Sequence, residues 1–270
     1  MKYVVLSLAT AAVLWLQPAQ AQSIAVCGDS SASAGEVAHH CKLTLRNGGL
    51  SQQQIVGVYI NLGYAELALG QTGQAVESFS EAVRYDSRRV EAYIGRANAH
   101  EDRRAFDLAD RDWQSALGLA SGSVDVRLGR GAYFLRQGKN ALALEEFTAA
   151  LRIDPDEADA RYNRGLAWLS LSRFEEADRD FTRLLRDYPD DAGAYFNRAR
   201  SRDGRNDRAA LADFAKASEL SPEWSSPWFF AGQMLDRLGR EAEANRKFRR
   251  AFELGHQDPW LLQRIQNLGG

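Results

Sequence analysis

The sequence predicts an all-α protein, a solenoid of six tandem helix-turn-helix units closed by helical caps. Three observations carry that expectation. The first is a repeat with a period of 34 residues. A small residue recurs at Gly63, Ala97, Gly131, Gly165, Ala199 and Gly232, and an alanine at Ala75, Ala109, Ala143, Ala177, Ala210 and Ala244. The second is the spacing inside each copy. Four residues after each alanine stands an aromatic (Phe79, Trp113, Phe147, Phe181, Phe214, Phe248), and three further on Ala82, Ala116, Ala150, Leu184, Ala217 or Ala251. Positions i, i+4 and i+7 share one face of a helix. The third is composition: 6 prolines in 270 residues, 45% hydrophobic and 26% charged, and no convincing strand pattern.

Residues 1–21 read as an address. Lys2 supplies a positive start and Val4 to Leu16 an apolar run of 13 residues, too short for a comfortable membrane span. Pro18 interrupts it, and Ala19-Gln20-Ala21 is a small-x-small cleavage site. The expectation is a secretory signal cut after Ala21, a mature chain from Gln22 that does not insert into a membrane, and a periplasmic or secreted location. A core helix or an uncut anchor is the competing reading. Lipid attachment at Cys27 is disfavoured by the bulky Val26 before it.

Residues 22–55 predict an N-terminal segment with half a repeat. Val37, Cys41 and Leu45 recur at steps of four within Glu36 to Arg46, Asn47-Gly48-Gly49 ends that helix, and Ser51 is placed to cap the next. Cys27 and Cys41 are the only cysteines. In an oxidising compartment an even pair reads as a disulfide, and closing so short a loop is worth about 3 kcal/mol. A metal site from His39, His40 and Cys41 is the alternative. Adjacent helical residues point about 100° apart, and no second His/Cys group completes a ligand set.

The six units are 56–89, 90–123, 124–157, 158–191, 192–224 and 225–258, with one residue lost near Asp203-Gly204-Arg205-Asn206. In each, the small residue on a first helix leaves room for the bulky ring on the second, as Gly131 does for Phe147. Asp154-Pro155, Tyr188-Pro189 and Ser221-Pro222 are stops, because proline disfavours helix in the residue before it. No such unit buries its apolar face alone, whereas stacked units do. Pro259 opens a capping helix over 259–270, with Trp260, Leu261, Ile265 and Leu268 on one face.

The unit resembles the tetratricopeptide repeat, over about three quarters of the chain and in six phased copies. The resemblance implies a right-handed solenoid whose first helices line a concave, partner-binding side. Departures are Arg127 and Arg161 at a place where other units carry Tyr59, Tyr93, Tyr195 or Trp228, and the missing stop proline after the first two units.

Four units carry an arginine before the small residue (Arg96, Arg130, Arg164, Arg198) and an acid before the aromatic (Asp112, Glu146, Asp180, Asp213). The first and sixth lack both, with Leu62 and Ser78, and Ala231 and Lys247. Arginine and acid that come and go together predict structural ion pairs within or between units. A row of arginines waiting for an anionic ligand is the alternative.

No residue set predicts catalysis, a cofactor or a metal, and the chain reads as a non-enzyme. His100, at the position of Glu66, Phe134 and Trp168, reads as packed. A net charge of −2 without a basic cluster argues against nucleic acid. The concave stripe implied by the resemblance is Ile60, Ile94, Leu128, Tyr162, Phe196 and Phe229, suited to a protein or peptide ligand. The leading expectation is an exported scaffold for protein-protein interaction or envelope assembly. The alternatives are a polysaccharide-binding or accessory subunit of an envelope enzyme, stacking sugars on Tyr162, Phe196 and Trp228, and a structural homo-oligomer.

Overall fold

The computed structural model describes residues 18–268. The charged start and apolar run of the predicted signal, within residues 1–17, lie outside the described residues. Those described form fifteen α-helices and no strand. The chain divides into two compact units, Met1–Val126 and Arg127–Gly270.

The first unit opens with α1 (Pro18–Cys27) and α2 (Ala34–Asn47). Helix α1 runs across the expected cut after Ala21 and places Cys27 at a helix end rather than in an extended leader. Ser33 caps α2 and Ser51 caps α3 (Gln52–Ala68), each in a reciprocal capping box, with Glu36 and Gln54. Cys27 and Cys41 are joined, S–S 2.07 Å, with both side chains fully buried. Cys41 stands 34 residues before Ala75. The α1–α2 pair is laid on α3, where Val37, Ala38 and Cys41 pack against Val58, Leu62 and Ala65. The pattern continues with α4 (Thr72–Tyr85), α5 (Val90–Asp102) and α6 (Phe106–Leu119), each packed on the one before.

Helix α7 (Val124–Arg136) carries the chain into the second unit. There follow α8 (Asn140–Ile153), α9 (Ala158–Ser170), α10 (Phe174–Asp187), α11 (Ala192–Arg202), α12 (Asp207–Leu220), α13 (Ser225–Arg237), α14 (Glu241–Glu253) and α15 (Pro259–Leu268). From α9 onward each packs on its predecessor. The residue lost from the fifth unit shortens α11 to 11 residues, against 13 in α9 and α13.

The core is the ladder of alanines and rings. All six aromatics are at most 1% exposed, and burying such a side chain contributes about 1.5–3 kcal/mol. The glycines opposite set the approach of the helices. A Cβ on Gly131 would stand 2.5 Å from the Phe147 ring, and one on Gly232 2.5 Å from Phe248. After the first unit, where proline is missing, an aspartate makes the stop; after the second, the helix ends at Ala120. Asp86 Oδ1 accepts the Arg88 N–H at 2.9 Å, as Asp154 Oδ1 accepts that of Asp156 ahead of the proline-containing turn. At the far end Leu261 is buried and Ile265 packs beside it, while Trp260 stays 44% exposed with its ring edge on Phe248.

Candidate functional site

The six stripe residues fall into two kinds. Ile60 on α3, Phe196 on α11 and Phe229 on α13 are 0, 8 and 5% exposed. They are floor rather than surface, because neighbouring rings close over them. Phe196 lies 4.6 Å from Trp224 and 5.4 Å from Phe230, centroid to centroid, and Phe229 stacks on His256 at 4.2 Å. Ile60 is enclosed by the core around Phe79 and Ala92. Ile94, Leu128 and Tyr162 are half-buried and keep surface to offer.

In the second unit the face shared by α9 and α11 combines apolar and polar groups. The Tyr162 ring sits edge-on to Phe181 at 5.7 Å, and its hydroxyl accepts from Asn197 Nδ2 at 3.0 Å. Burial pushes that hydroxyl's pKa up, with Asp191 adding to the effect. The Asn197 amide also donates to the Gly193 carbonyl at 3.0 Å, so its orientation is fixed from α11 itself. Arg200 lies beside it, exposed, donating to Asn197 Oδ1 at 3.1 Å and standing 5.8 Å from the Phe196 ring centre. Of the three candidate sugar-stacking aromatics, Phe196 is buried and Trp228 lies under the Lys247 ammonium at 4.5 Å. That leaves Tyr162.

The arginines meet the acids of their own units, first helix to second. Arg96, Arg164 and Arg198 grip Asp112, Asp180 and Asp213 with two bonds each, at 2.6–2.9 Å. Arg130 reaches Glu146 at 2.5 Å, and Arg127, one of the departures from the aromatic pattern, takes its other oxygen at 2.8 Å. The acids are 7% exposed in their side chains and the four arginines 15–21%. Hydrogen bonding to Asp112 raises the Arg96 pKa. No guanidinium of this row awaits a ligand.

Sequence reasoning missed a second polar position one helical turn further along the first helix. His100 Nε2 lies 3.8 Å from Asp112, and burial lowers its pKa. Arg202 reaches Asp213 at 2.8 Å and Asp178 at 2.7 Å. In the first unit, which lacks the ion pair, Ser78 donates to the buried Glu66 at 2.7 Å, and Lys42 from α2 pairs with it at 3.0 Å. The signal was in the repeat. Glu66, His100 and Arg202 occupy one equivalent place, four residues after the arginine position, which on a helix is the same face. Among the described residues no group of three or more His, Cys, Asp or Glu is placed to hold a metal ion, and no helix is long and apolar enough to cross a membrane.

No curated protein matches the chain by sequence. Many solved structures match by fold. A tetratricopeptide repeat protein from Parabacteroides merdae has a TM-score of 0.66 at 17% identity, over 93% of this chain and 98% of that one. PilW, described as a widely conserved type IV pilus biogenesis factor, has a TM-score of 0.68 at 19% identity, over 78% and 99%. YrrB, described as having an unusual peptide-binding site, has 0.58 at 20% identity, over 71% and 99%. The tetratricopeptide repeat family model matches residues 60–124, 128–177 and 169–223. Consecutive helix pairs, the alanine-aromatic ladder and this match over more than half its length place the chain in the tetratricopeptide-repeat family.

Proposed function

We propose that the chain is an exported, non-catalytic scaffold that binds an extended peptide or protein segment on its first-helix faces and so assembles envelope complexes. The observation that carries this reading is the α9–α11 face. A half-buried tyrosine, an oriented amide and an exposed arginine lie together over an aromatic floor. Such a surface suits peptide backbone and side chains, with apolar contact supplying affinity and charge orientation. Likeness to a peptide-binding protein and to a pilus biogenesis factor supports the reading as far as a shared fold can. Export rests on the sequence of residues 1–21 and accords with the buried Cys27–Cys41 bond. The polysaccharide reading loses two of its three aromatics to packing and to Lys247.

The test begins with affinity capture from an envelope extract and mass spectrometry of the partner. Tyr162→Ala should then weaken partner binding by about tenfold, equivalent to about 1.4 kcal/mol, with little change in Tm. Phe196→Ala is the contrasting variant: as floor, it should lower binding and stability together. Full binding by Tyr162→Ala would remove this face as the site. N-terminal sequencing should find Gln22, and an intact Met1 on the purified protein would refute the signal.

A further inference from the structure

The sixth repeat departs from the arginine-acid pattern, and the departure leaves a space. In the second and fifth repeats the arginine does three things. Arg198 grips Asp213 on its own second helix, reaches Thr182 Oγ1 on the preceding second helix at 3.4 Å, and lies 5.3 Å from the Tyr195 ring centre. Arg96 does the same with Asp112, with Ser80 Oγ at 3.2 Å and with Tyr93 at 5.6 Å. In the sixth repeat the four corresponding residues are Ala231 for the arginine, Lys247 for the acid, Ala215 for the hydroxyl and Trp228 for the tyrosine. The stem of the arginine is gone, and so are both its acceptors.

A cavity of about 110 Å³ remains between α12, α13 and α14, lined by apolar Leu211, Phe214, Ala231 and Leu235 and by polar Ser218, Arg240, Glu243 and Lys247. The Lys247 ammonium stands 4.5 Å over the Trp228 ring, where the second and fifth repeats hold a guanidinium. No carboxylate pairs with it. Its neighbour one turn back, Glu243, also on the cavity wall, gives both oxygens to Arg240, at 2.7 and 2.8 Å. The indole N–H of Trp228 is buried with no acceptor. The site thus has mixed walls, a lysine with no ion-pair partner, and an acid already taken by Arg240.

We propose that this cavity binds a short aliphatic carboxylate, whose carboxylate pairs with the Lys247 ammonium and whose hydrocarbon tail occupies the space of the absent arginine stem. A cavity of about 150 Å³ holds benzene, and the space here, about 110 Å³, has the volume for an acid of about four carbons. Burial lowers the Lys247 pKa, Arg246 lowers it further and Glu243 opposes them. A bound carboxylate reverses that balance and raises it.

The experiment is a titration of the full-length protein with butyrate, with sodium chloride at equal ionic strength as control, reading the Lys247 side-chain resonances by NMR. A saturable shift half-complete near about 1 mM, with a rise in the Lys247 titration midpoint and in Tm, is the expected result. The double variant Ala231→Arg, Lys247→Glu rebuilds the ion pair of the other repeats, and butyrate should no longer raise its Tm. The proposal is overturned if butyrate moves the Lys247 signals no more than chloride does. It is also overturned if the rebuilt variant keeps its butyrate-dependent stabilisation. The first measurement needs no variant to fold.

Discussion

Two residues bear backbone strain that the repeat makes visible. The turn between the helices of a unit needs a left-handed residue, supplied by Gly70, Gly138, Gly204 and Gly239 at φ near +70°. In the second and fourth units Arg104 and Ser172 take that conformation at φ 58° and 56°. An L residue there brings its Cβ too close to the following carbonyl. Ser172→Gly should therefore raise stability by about 0.5–1 kcal/mol, a gain smaller than the strain because glycine also frees the unfolded chain. Urea unfolding measures it, and an unchanged or lowered midpoint would contradict the strain. Gly70, Arg104, Gly138 and Ser172 follow one another at the 34-residue step, so the position in these turns was legible in the sequence. That the chain holds the same conformation without glycine was not, because the surrounding helix pair imposes it.

At the scale of a helix pair, the ion pairs bridge first and second helices inside one unit. Their acids are nearly buried, so an arginine lost alone leaves a charge in a poor solvent. Arg164→Ala or Asp180→Ala should each destabilise more than the two together, with a coupling of about 1–3 kcal/mol in a double-mutant cycle. Zero coupling would mean that the pair is geometry without energy. The third and fifth units should resist best, since Arg127 offers Glu146, and Arg202 offers Asp213, a second partner when Arg130 or Arg198 is removed. Co-occurrence of arginine and acid across copies was enough to expect the pairs. It did not distinguish contacts within a unit from contacts between units, which depends on how far a guanidinium reaches across a particular helix crossing.

At the scale of the molecule, a repeat array is stabilised by its nearest neighbours and frays at uncovered ends. The α1–α2 pair covers the first full repeat, and the Cys27–Cys41 bond ties that pair together. Replacing both cysteines by serine should cost about 3 kcal/mol, concentrated at this end. Hydrogen exchange should quicken in α1 to α3 and stay unchanged in α11 to α14. Uniform loss of protection would show that the chain unfolds as one cooperative block, without local ends.

Sequence alone determined the helical repeat, its ladder of alanines and rings, and that its arginines and acids go together. These follow from spacing, since every copy restates the same helix faces and six copies average out local exceptions. Tertiary structure decided what a stripe position means. Ile60, Phe196 and Phe229 occupy the same register as Ile94, Leu128 and Tyr162, yet three are covered and three retain surface. Coverage comes from rings on other elements, such as Trp224, Phe230 and His256, whose reach no periodicity encodes. It likewise decided that substitution of Ala231, Lys247 and Ala215 leaves an open space, because flanking helices held by their own packing do not close over a missing side chain.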